Sequence, residues 1–223
     1  MRDERGIFIT FEGLDGSGKS TQIARLTETL GARGLDVMAT REPGGTGTGQ
    51  RIRSILLDSE TAALSPLAEL ALMFADRAQH IDEVIEPALR AGKIVICDRY
   101  TDSTEAYQGF GRQLGSQLVL NLHRELCHDL WPDLTLLLES DFDSSLVRAR
   151  NRNQSSQSSE SRFESEDAAF FRRVQQGFEQ IAARELVRVT RIPSAAIQQV
   201  EAGVLRSIEK RFPQIAARAT ILK

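Results

Sequence analysis

The sequence predicts an α/β fold in which a parallel sheet carries helices on both faces. Short apolar runs alternate along the chain with longer segments of helical periodicity, a pattern typical of such sheets. Three runs, at 7–11, 94–97 and 134–138, are almost continuous in apolar or β-branched residues, as expected of central strands covered on both faces. A glycine-rich loop follows the first run and leads into a helical segment.

The order of strands and helices follows from these periodicities. The predicted strands are 7–11, 36–40, 94–97, 134–138 and 187–190. The predicted helices are 19–32, 49–57, 66–90, 116–129, 143–151, 166–185 and 195–211. The longest helix carries Leu67, Leu70, Phe74 and Ala78 at helical spacing. Because ligands of parallel sheets bind beyond the carboxyl ends of the strands, polar residues just after a strand are candidates for a site.

Composition narrows the class of protein. The chain has 223 residues, 41% of them hydrophobic, and we expect one globular domain over 1–223. A net charge of −3 gives no bulk basic field for nucleic acid or an anionic membrane, and no apolar run is long enough to span a bilayer. Cys97 and Cys127 lie in apolar stretches and are expected to be free, buried thiols in a reducing compartment. The charged N-terminus lacks the apolar core of a signal peptide, so the cytoplasm is the expected location.

The most informative motif runs from Gly13 to Ser20 and fits G-x-x-x-x-G-K-[ST], the phosphate-binding P-loop. Glycines allow backbone N–H groups to point at an anion, and the following helix adds the positive end of its dipole. Lys19 is placed to reach the β- and γ-phosphates, and the Ser20 hydroxyl to hold Mg²⁺. The alternative is a glycine-rich turn without a ligand. The predicted triphosphate-binding residues are Gly13, Leu14, Asp15, Gly16, Ser17, Gly18, Lys19, Ser20 and Thr21.

A second group of polar residues follows other strands. Asp98-Arg99-Tyr100 comes directly after 94–97, where an acidic residue of a P-loop protein usually lies beside the magnesium site. The segment 101–112 is predicted to be a loop dense in hydrogen-bonding groups, although Tyr107 alone is also compatible with an ordinary half-buried aromatic. Arg77 follows Phe74 at i+3, so the pair lies on one helix face suited to holding a flat base. Taken alone, Phe74 is more typical of the core.

The segment 151–161 is polar and contains no apolar residue. It cannot bury surface that would offset the entropy of ordering it, and we expect it to be mobile. A solvated loop is one interpretation. A lid is the other, because Arg148, Arg150 and Arg152 stand at its entrance.

Several stretches, in this order, resemble bacterial thymidylate kinases over nearly the whole chain. They are Phe-Glu-Gly-Leu-Asp-Gly-Ser-Gly-Lys-Ser-Thr, Thr-Arg-Glu-Pro-Gly-Gly-Thr, Ala-Asp-Arg-Ala-Gln-His, Cys-Asp-Arg-Tyr, Ala-Tyr-Gln-Gly and Pro-Asp-Leu-Thr. The resemblance implies a P-loop nucleoside monophosphate kinase fold with a five-stranded parallel sheet, a mobile lid at about 148–164 and a homodimer. It also implies transfer of the γ-phosphoryl group from ATP, with Mg²⁺, to thymidine monophosphate (dTMP) in dTTP biosynthesis.

The resemblance assigns roles residue by residue. Arg99 grips the acceptor phosphate together with Arg53, and Arg77 hydrogen-bonds the thymine ring. Tyr107 packs against the 2′ face of the sugar. The full dTMP site it implies is Asp15, Glu42, Arg53, Met73, Phe74, Arg77, Arg99, Thr104, Tyr107 and Gln108. The implied catalytic residues are Lys19, Arg99, Arg148, Arg150 and Arg152, and the implied metal ligands are Ser20 and Asp98.

This chain departs from the family pattern at three places. Met73 stands where the family usually has Phe, which leaves open whether Met73 or Phe74 covers the thymine. The lid ends in Ser161-Arg162 rather than Asp-Arg, and the usual Asp after the last strand is missing from 190–193.

Three other functions are compatible with the P-loop. One is a kinase for a purine monophosphate, against which the Arg77 helix and the Ala-Tyr-Gln-Gly stretch argue. Another is a GTPase-type switch, although the chain has no Asn-Lys-x-Asp motif. The third is an inactive homologue. His80, His123 and His128 show no metal-ligand pairing and are expected at the surface or on helices.

Overall fold

A computed structural model describes residues 5–58, 64–140 and 162–221. Its strands form one five-stranded sheet, ordered β2-β3-β1-β4-β5, in which every pairing is parallel. The strands are β1 (Ile7–Glu12), β2 (Val37–Arg41), β3 (Ile94–Asp98), β4 (Leu134–Leu138) and β5 (Val189–Ile192). The predicted α/β fold with a parallel sheet is therefore confirmed.

Helices cover both faces of this sheet. The α-helices among the described residues are α1 (Lys19–Ala32), α2 (Gly47–Leu57), α3 (Pro66–His80), α4 (Glu86–Arg90), α5 (Thr101–Thr104), α6 (Ser116–Leu126), α7 (Ala168–Arg184), α8 (Ile197–Arg211) and α9 (Pro213–Ile221). A short 3₁₀ helix, Arg162–Ser165, precedes α7. The predicted helix 143–151 and most of the predicted lid, including Arg148, Arg150 and Arg152, lie outside the described residues.

Alternation along β1 shows how the sheet is buried on both sides. Ile9 and Phe11 enter an apolar cluster with α1, α8 and α9, whereas Phe8 enters a second cluster with α3 and α6. All three side chains are fully buried. A strand buried on both faces reads as a continuous apolar run, which explains why β1, β3 and β4 were readable from the sequence.

The segment 101–112 is helical, and its prediction as a loop is wrong. After α5 the backbone continues as a π-helix, Glu105–Gly111, and this segment packs against α7. The buried Glu105 carboxylate accepts hydrogen bonds from both Arg184 Nη atoms, at 2.7 and 2.8 Å. Gly177 of α7 lies against the Ala106 backbone and the Phe110 ring. Packing against a distant helix thus fixes a conformation that local composition did not indicate.

The predicted helix 66–90 is one helical rod with a widened turn. A π-helical segment, Ile81–Ile85, joins α3 to α4, and the Glu86 N–H bonds to the Ile81 carbonyl. Pro87 has no N–H to donate, and its ring would clash with the carbonyl one turn earlier in an α-helix. Widening the turn just before Pro87 accommodates the ring without breaking the rod. No helix among the described residues has the length and apolarity needed to cross a membrane.

Gly177 offers a test of the packing that holds the π-helical segment in place. A Cβ at 177 would lie 2.8 Å from Phe110 Cδ2 and 3.0 Å from Ala106 Cα, so we expect Gly177→Ala to destabilise the fold by about 1–3 kcal/mol. Gly203 on α8 is the matched control, because a Cβ there would meet Ile192 at an ordinary 3.7 Å. Gly203→Ala should be neutral or stabilising by up to about 1 kcal/mol. Denaturant midpoints of both variants decide this, and equal stability of Gly177→Ala and the unsubstituted protein would contradict the packing argument.

Candidate active site

The P-loop joins β1 to α1 at the carboxyl edge of the sheet. Gly13, Gly16 and Gly18 have φ angles of 132°, 79° and 94°, which side chains other than glycine rarely adopt. The Lys19 ammonium is buried and donates to the carbonyls of Gly13 and Leu14, both at 3.0 Å. Burial, assisted by the positive charge of Arg99, lowers the Lys19 pKa to about 8. The ammonium is therefore held inside the loop and loses its charge at a lower pH than an exposed lysine.

Ser20 of α1 and Asp98, the last residue of β3, lie together at the carboxyl edge of the sheet. The Ser20 hydroxyl donates to Asp98 Oδ2 at 3.1 Å. Asp98 Oδ1 is buried and has no hydrogen-bond partner among the described residues. A buried carboxylate oxygen costs free energy unless something compensates it, so this atom is suited to bind a cation or a donor.

Arg99 follows Asp98 in an unusual conformation, with φ at 71°. Its backbone N–H donates to the Phe11 carbonyl at 3.0 Å, which ties the turn to β1. One Nη donates to Asp15 at 2.7 Å and the other to the Ser103 hydroxyl at 2.8 Å. The Tyr107 hydroxyl donates to the second Asp15 oxygen at 3.0 Å. Burial opposes ionisation of Asp15, but Arg99 and Lys19 outweigh it and hold the Asp15 pKa well below its usual range.

Glu12, the last residue of β1, binds Tyr100 and Ser103, and Ser103 in turn contacts Arg99. Its fully buried carboxyl accepts the Tyr100 N–H at 2.8 Å and the Ser103 hydroxyl in a short hydrogen bond. Burial and the nearby Asp102 raise the Glu12 pKa above its ordinary value. Sequence reasoning missed this residue, although an acidic side chain that ends an otherwise apolar strand was a signal for it.

Arg77 is the second cation held by a network of buried groups. Its Nε donates to Glu42 at 2.7 Å and its Nη2 donates to the Thr104 hydroxyl at 2.8 Å. Glu42 is also bonded to His80 Nδ1 at 2.9 Å, so both its oxygens are occupied in orienting other groups. Although burial opposes it, the charge of Arg77 lowers the Glu42 pKa. Arg77 Nη1 is buried without a partner in the described part of the chain.

A buried group, Glu42, His80 and Cys97, is close enough to hold a metal ion. Burial and the surrounding carboxylates raise the Cys97 pKa well above its usual value, so the sulfur stays a thiol. It donates to the Arg99 carbonyl at 3.0 Å. Within this group, Glu42 holds the Arg77 guanidinium and Cys97 holds the Arg99 backbone. His80 and His123 lie on helices as predicted, but both are fully buried rather than at the surface, and both cysteines are buried free thiols.

Lys19, Ser20, Asp98, Arg99 and Arg77 line one cleft of about 610 Å³. Among the predicted triphosphate-binding residues, those in the cleft are Asp15, Gly16, Gly18, Lys19, Ser20 and Thr21. Gly13 and Leu14 line a smaller neighbouring depression, and Ser17 lines neither. Every residue of the implied dTMP site lines the cleft except Phe74. Residues that sequence reasoning did not assign to the site also line it: Arg41, Pro43, Leu57, Asp76, Tyr100, Ser103 and Phe163.

Met73 and Phe74 lie in different surroundings. Met73 is partly buried and lines the cleft. Phe74 is fully buried in the cluster with Phe8 and Leu70, and its ring lies 5.1 Å from the Arg77 guanidinium carbon. Of the two residues between which the sequence left the choice open, Met73 therefore lines the cleft and Phe74 lies in the core beside Arg77.

A parallel sheet with a P-loop at its carboxyl edge, beside a cleft lined by buried cations, is typical of P-loop nucleotide kinases. The thymidylate kinase family model matches residues 11–204. The thymidylate kinase of Solidesulfovibrio magneticus is 50% identical over 85% of this chain and 91% of its own, and that of Trichlorobacter lovleyi is 48% identical over 87% and 92%.

The crystal structure of thymidylate kinase from Ehrlichia chaffeensis is 34% identical, with a TM-score of 0.74 over 92% of this chain and 99% of that one. The chain belongs to the thymidylate kinase family. It is a kinase that transfers the γ-phosphoryl group of ATP to dTMP, giving thymidine diphosphate and ADP in nucleotide biosynthesis.

The positions of Met73 and Phe74 predict different effects of substitution. Phe74→Ala should destabilise the fold by about 3–5 kcal/mol, because it removes a fully buried ring. Met73→Ala should weaken dTMP binding while changing stability much less, because the side chain faces the cleft. Melting temperature and dTMP affinity, measured for both variants, test this. The reverse assignment, with Phe74 controlling affinity, would contradict the placement of the two side chains.

The lowered Lys19 pKa predicts a pH dependence of ATP affinity. Phosphate oxygens favour the charged ammonium, so binding returns a proton to Lys19 when the free protein has lost it. Affinity should be highest below about pH 8 and fall above it, by at most about tenfold per pH unit. Calorimetry from about pH 7 to about pH 10 measures this and the accompanying proton uptake. Lys19→Arg, whose guanidinium does not titrate there, is the control and should show no slope; a flat profile for the unsubstituted protein would refute the assignment.

Proposed function

We propose that dTMP binds with its thymine against Arg77, Gln108 and Met73 and its phosphate against Arg99, while the P-loop holds the phosphates of ATP. One observation carries this proposal. Two buried atoms without partners among the described residues, Arg77 Nη1 and Gln108 Oε1, belong to side chains that line the same cleft as Lys19 and Arg99. Both atoms lose a hydrogen bond unless a ligand supplies it.

These two atoms are complementary to thymine. Arg77 Nη1 is a donor and suits the O4 carbonyl, while Gln108 Oε1 is an acceptor and suits the N3–H. Cytosine presents the opposite pattern, an amino donor at C4 and an acceptor at N3. A site built to hydrogen-bond a substrate rejects the mismatched analogue strongly, because its own buried groups are left unpaired.

The acceptor phosphate is expected beside Arg99, and Arg53 lines the same cleft. Arg99 is held by Asp15 and Ser103, so its guanidinium is oriented before any ligand arrives. The attacking oxygen of a monophosphate is already anionic near neutral pH, so no side chain has to remove a proton. The task is to bring two anions together, and Lys19 and Arg99 are the described cations best placed to screen them.

The sugar is expected to lie against Tyr107. This ring packs edge-on against Phe163, Phe170 and Phe178, at centroid distances of 5.8, 6.1 and 6.4 Å, and cannot easily move. Its hydroxyl is engaged by Asp15 rather than turned to a ligand. A fixed ring at this position would fill the space that a 2′-hydroxyl needs.

The oxygen donors Ser20 and Asp98 fit a Mg²⁺ ion, since this hard cation prefers oxygen ligands and Asp98 Oδ1 is buried without a partner among the described residues. The ion would neutralise charge on the β- and γ-phosphates.

Arg148, Arg150 and Arg152 are proposed to add positive charge in the transition state, from a lid at about 148–164 within a single domain, 1–223. Both statements stay predictions, because these arginines and nearly all of the segment lie outside the described residues.

We further propose a homodimer. Three large apolar side chains, Ile55, Leu67 and Leu126, are 45, 61 and 44% exposed. They lie on α2, α3 and α6, and α3 packs against both other helices. Exposed apolar side chains on helices that pack together favour association. Sedimentation at the mass of one 24.8 kDa chain would refute the dimer.

The free thiols suit the reducing environment of the cytoplasm, which is the proposed location. The proposed partners are ATP, dTMP and a second copy of the chain.

Activity with a panel of nucleoside monophosphates tests whether the cleft recognises thymine by its hydrogen-bonding pattern. The informative pair is dTMP and 5-methyl-deoxycytidine monophosphate (5-methyl-dCMP), which share the methyl group and differ in the hydrogen-bonding pattern. Gln108→Met keeps the volume but removes the acceptor, and should lower the ratio of kcat/KM for dTMP to that for 5-methyl-dCMP by at least about tenfold. An unchanged ratio in a folded variant would show that Gln108 does not read the base. Tyr107→Ala, assayed with ribothymidine monophosphate, tests sugar discrimination in the same way.

A further inference from the structure

Glu69 on α3 is a fully buried carboxylate that lies behind Gln108 and does not line the cleft. Its Oε1 accepts a hydrogen bond from Gln108 Nε2 at 2.8 Å. Arg112 donates Nε to Oε1 and Nη2 to Oε2, both at 3.1 Å, and Arg162 donates Nη2 to Oε2 at 2.8 Å. Two guanidinium groups therefore hold this charge in place inside the protein.

The contact with Glu69 determines which end of the Gln108 amide faces the cleft. An ionised carboxylate only accepts hydrogen bonds, so the amide must turn its NH₂ group toward Glu69. The reverse orientation would set the amide oxygen against a carboxylate oxygen, with both buried. With NH₂ fixed on Glu69, the carbonyl oxygen is left for the cleft, and it is the atom that lacks a partner among the described residues.

We propose that Glu69 is the positioning residue for base specificity: it fixes the Gln108 amide so that the cleft presents an acceptor and selects bases with an N3–H. This inference rests on the proposed reading of thymine by Gln108. Alone, an amide side chain presents a donor or an acceptor equally well after a half-turn, and so distinguishes thymine from cytosine poorly. The part of the discrimination that Gln108 supplies thus depends on a residue that does not line the cleft.

Glu69→Gln gives a directional test. Oε2 receives a donor from each of the two arginines, whereas Oε1 receives only one arginine donor, Arg112 Nε, beside the Gln108 amide. The amide introduced by the substitution should therefore place its carbonyl oxygen at the Oε2 position and its NH₂ toward Gln108. Gln108 must then turn its own oxygen to that NH₂ group and present its NH₂ to the cleft. We expect the ratio of kcat/KM for dTMP to that for 5-methyl-dCMP to fall by at least about tenfold. It should not invert, because the Arg77 donor still opposes the cytosine amino group.

Arg112→Gln is the matched control. It removes a hydrogen-bonding partner from the same carboxylate but leaves the contact between Glu69 and Gln108. Both variants should lower the melting temperature, since both disturb a buried ion pair. Only Glu69→Gln should change the substrate ratio. A purely structural role for Glu69 predicts that both variants, or neither, change it.

Comparison with Gln108→Met separates the two hypotheses. If Gln108→Met lowers the ratio and Glu69→Gln does not, the positioning role is refuted and base reading by Gln108 stands. If Gln108→Met leaves the ratio unchanged, base reading itself fails. Should Glu69→Gln not fold, NMR of the isotope-labelled, unsubstituted protein decides. The Gln108 side-chain NH₂ should stay protected from exchange when dTMP binds, and loss of its contact with Glu69 on binding would overturn the proposal.

Discussion

The parallel pairing of β1 with β3 is the constraint on which the site depends. The register sets Phe11 opposite Asp98, so the two strands end together, and the Arg99 N–H bonds back to the Phe11 carbonyl. The P-loop and the Asp98-Arg99 turn consequently leave the sheet side by side. A shift of one residue in this register would turn the buried side chains of β1 to the opposite face, and the two apolar clusters oppose such a shift.

A second principle of the structure is that two of the arginines that line the cleft, Arg99 and Arg77, are each oriented by a carboxylate, which is partly buried for Asp15 and fully buried for Glu42. Asp15 holds Arg99 and Glu42 holds Arg77, and both carboxylates have lowered pKa values because of these cations. Removing one partner leaves an uncompensated charge inside the protein, which is far more costly than removing both. The cleft is therefore preorganised, and each of these two guanidinium groups keeps its orientation without a ligand.

Much of the fold could be predicted from the sequence, because strands buried on both faces and a glycine-rich loop leave strong local patterns. The identity of the cleft residues came from motifs, and all but Phe74 of the implied dTMP residues line the cleft. The π-helical segment was missed because Gly177 and Arg184, which stabilise it, are distant in the chain. Glu69 was missed for the same reason, since Gln108 and Arg112 follow it by 39 and 43 positions.

In the π-helical segment Glu105–Gly111, the number of residues determines the geometry of the site, in addition to which residues they are. A π-helix is related to an α-helix by one extra residue in a turn. Loss of any single residue here would allow an ordinary α-helix with nearly the same side chains. Everything beyond the deletion would turn by about 100° relative to Thr104. Sequence comparisons across the family should therefore weigh gaps in this segment as heavily as substitutions. A one-residue gap between Thr104 and Gln108 would keep both residue types but turn their side chains to different directions.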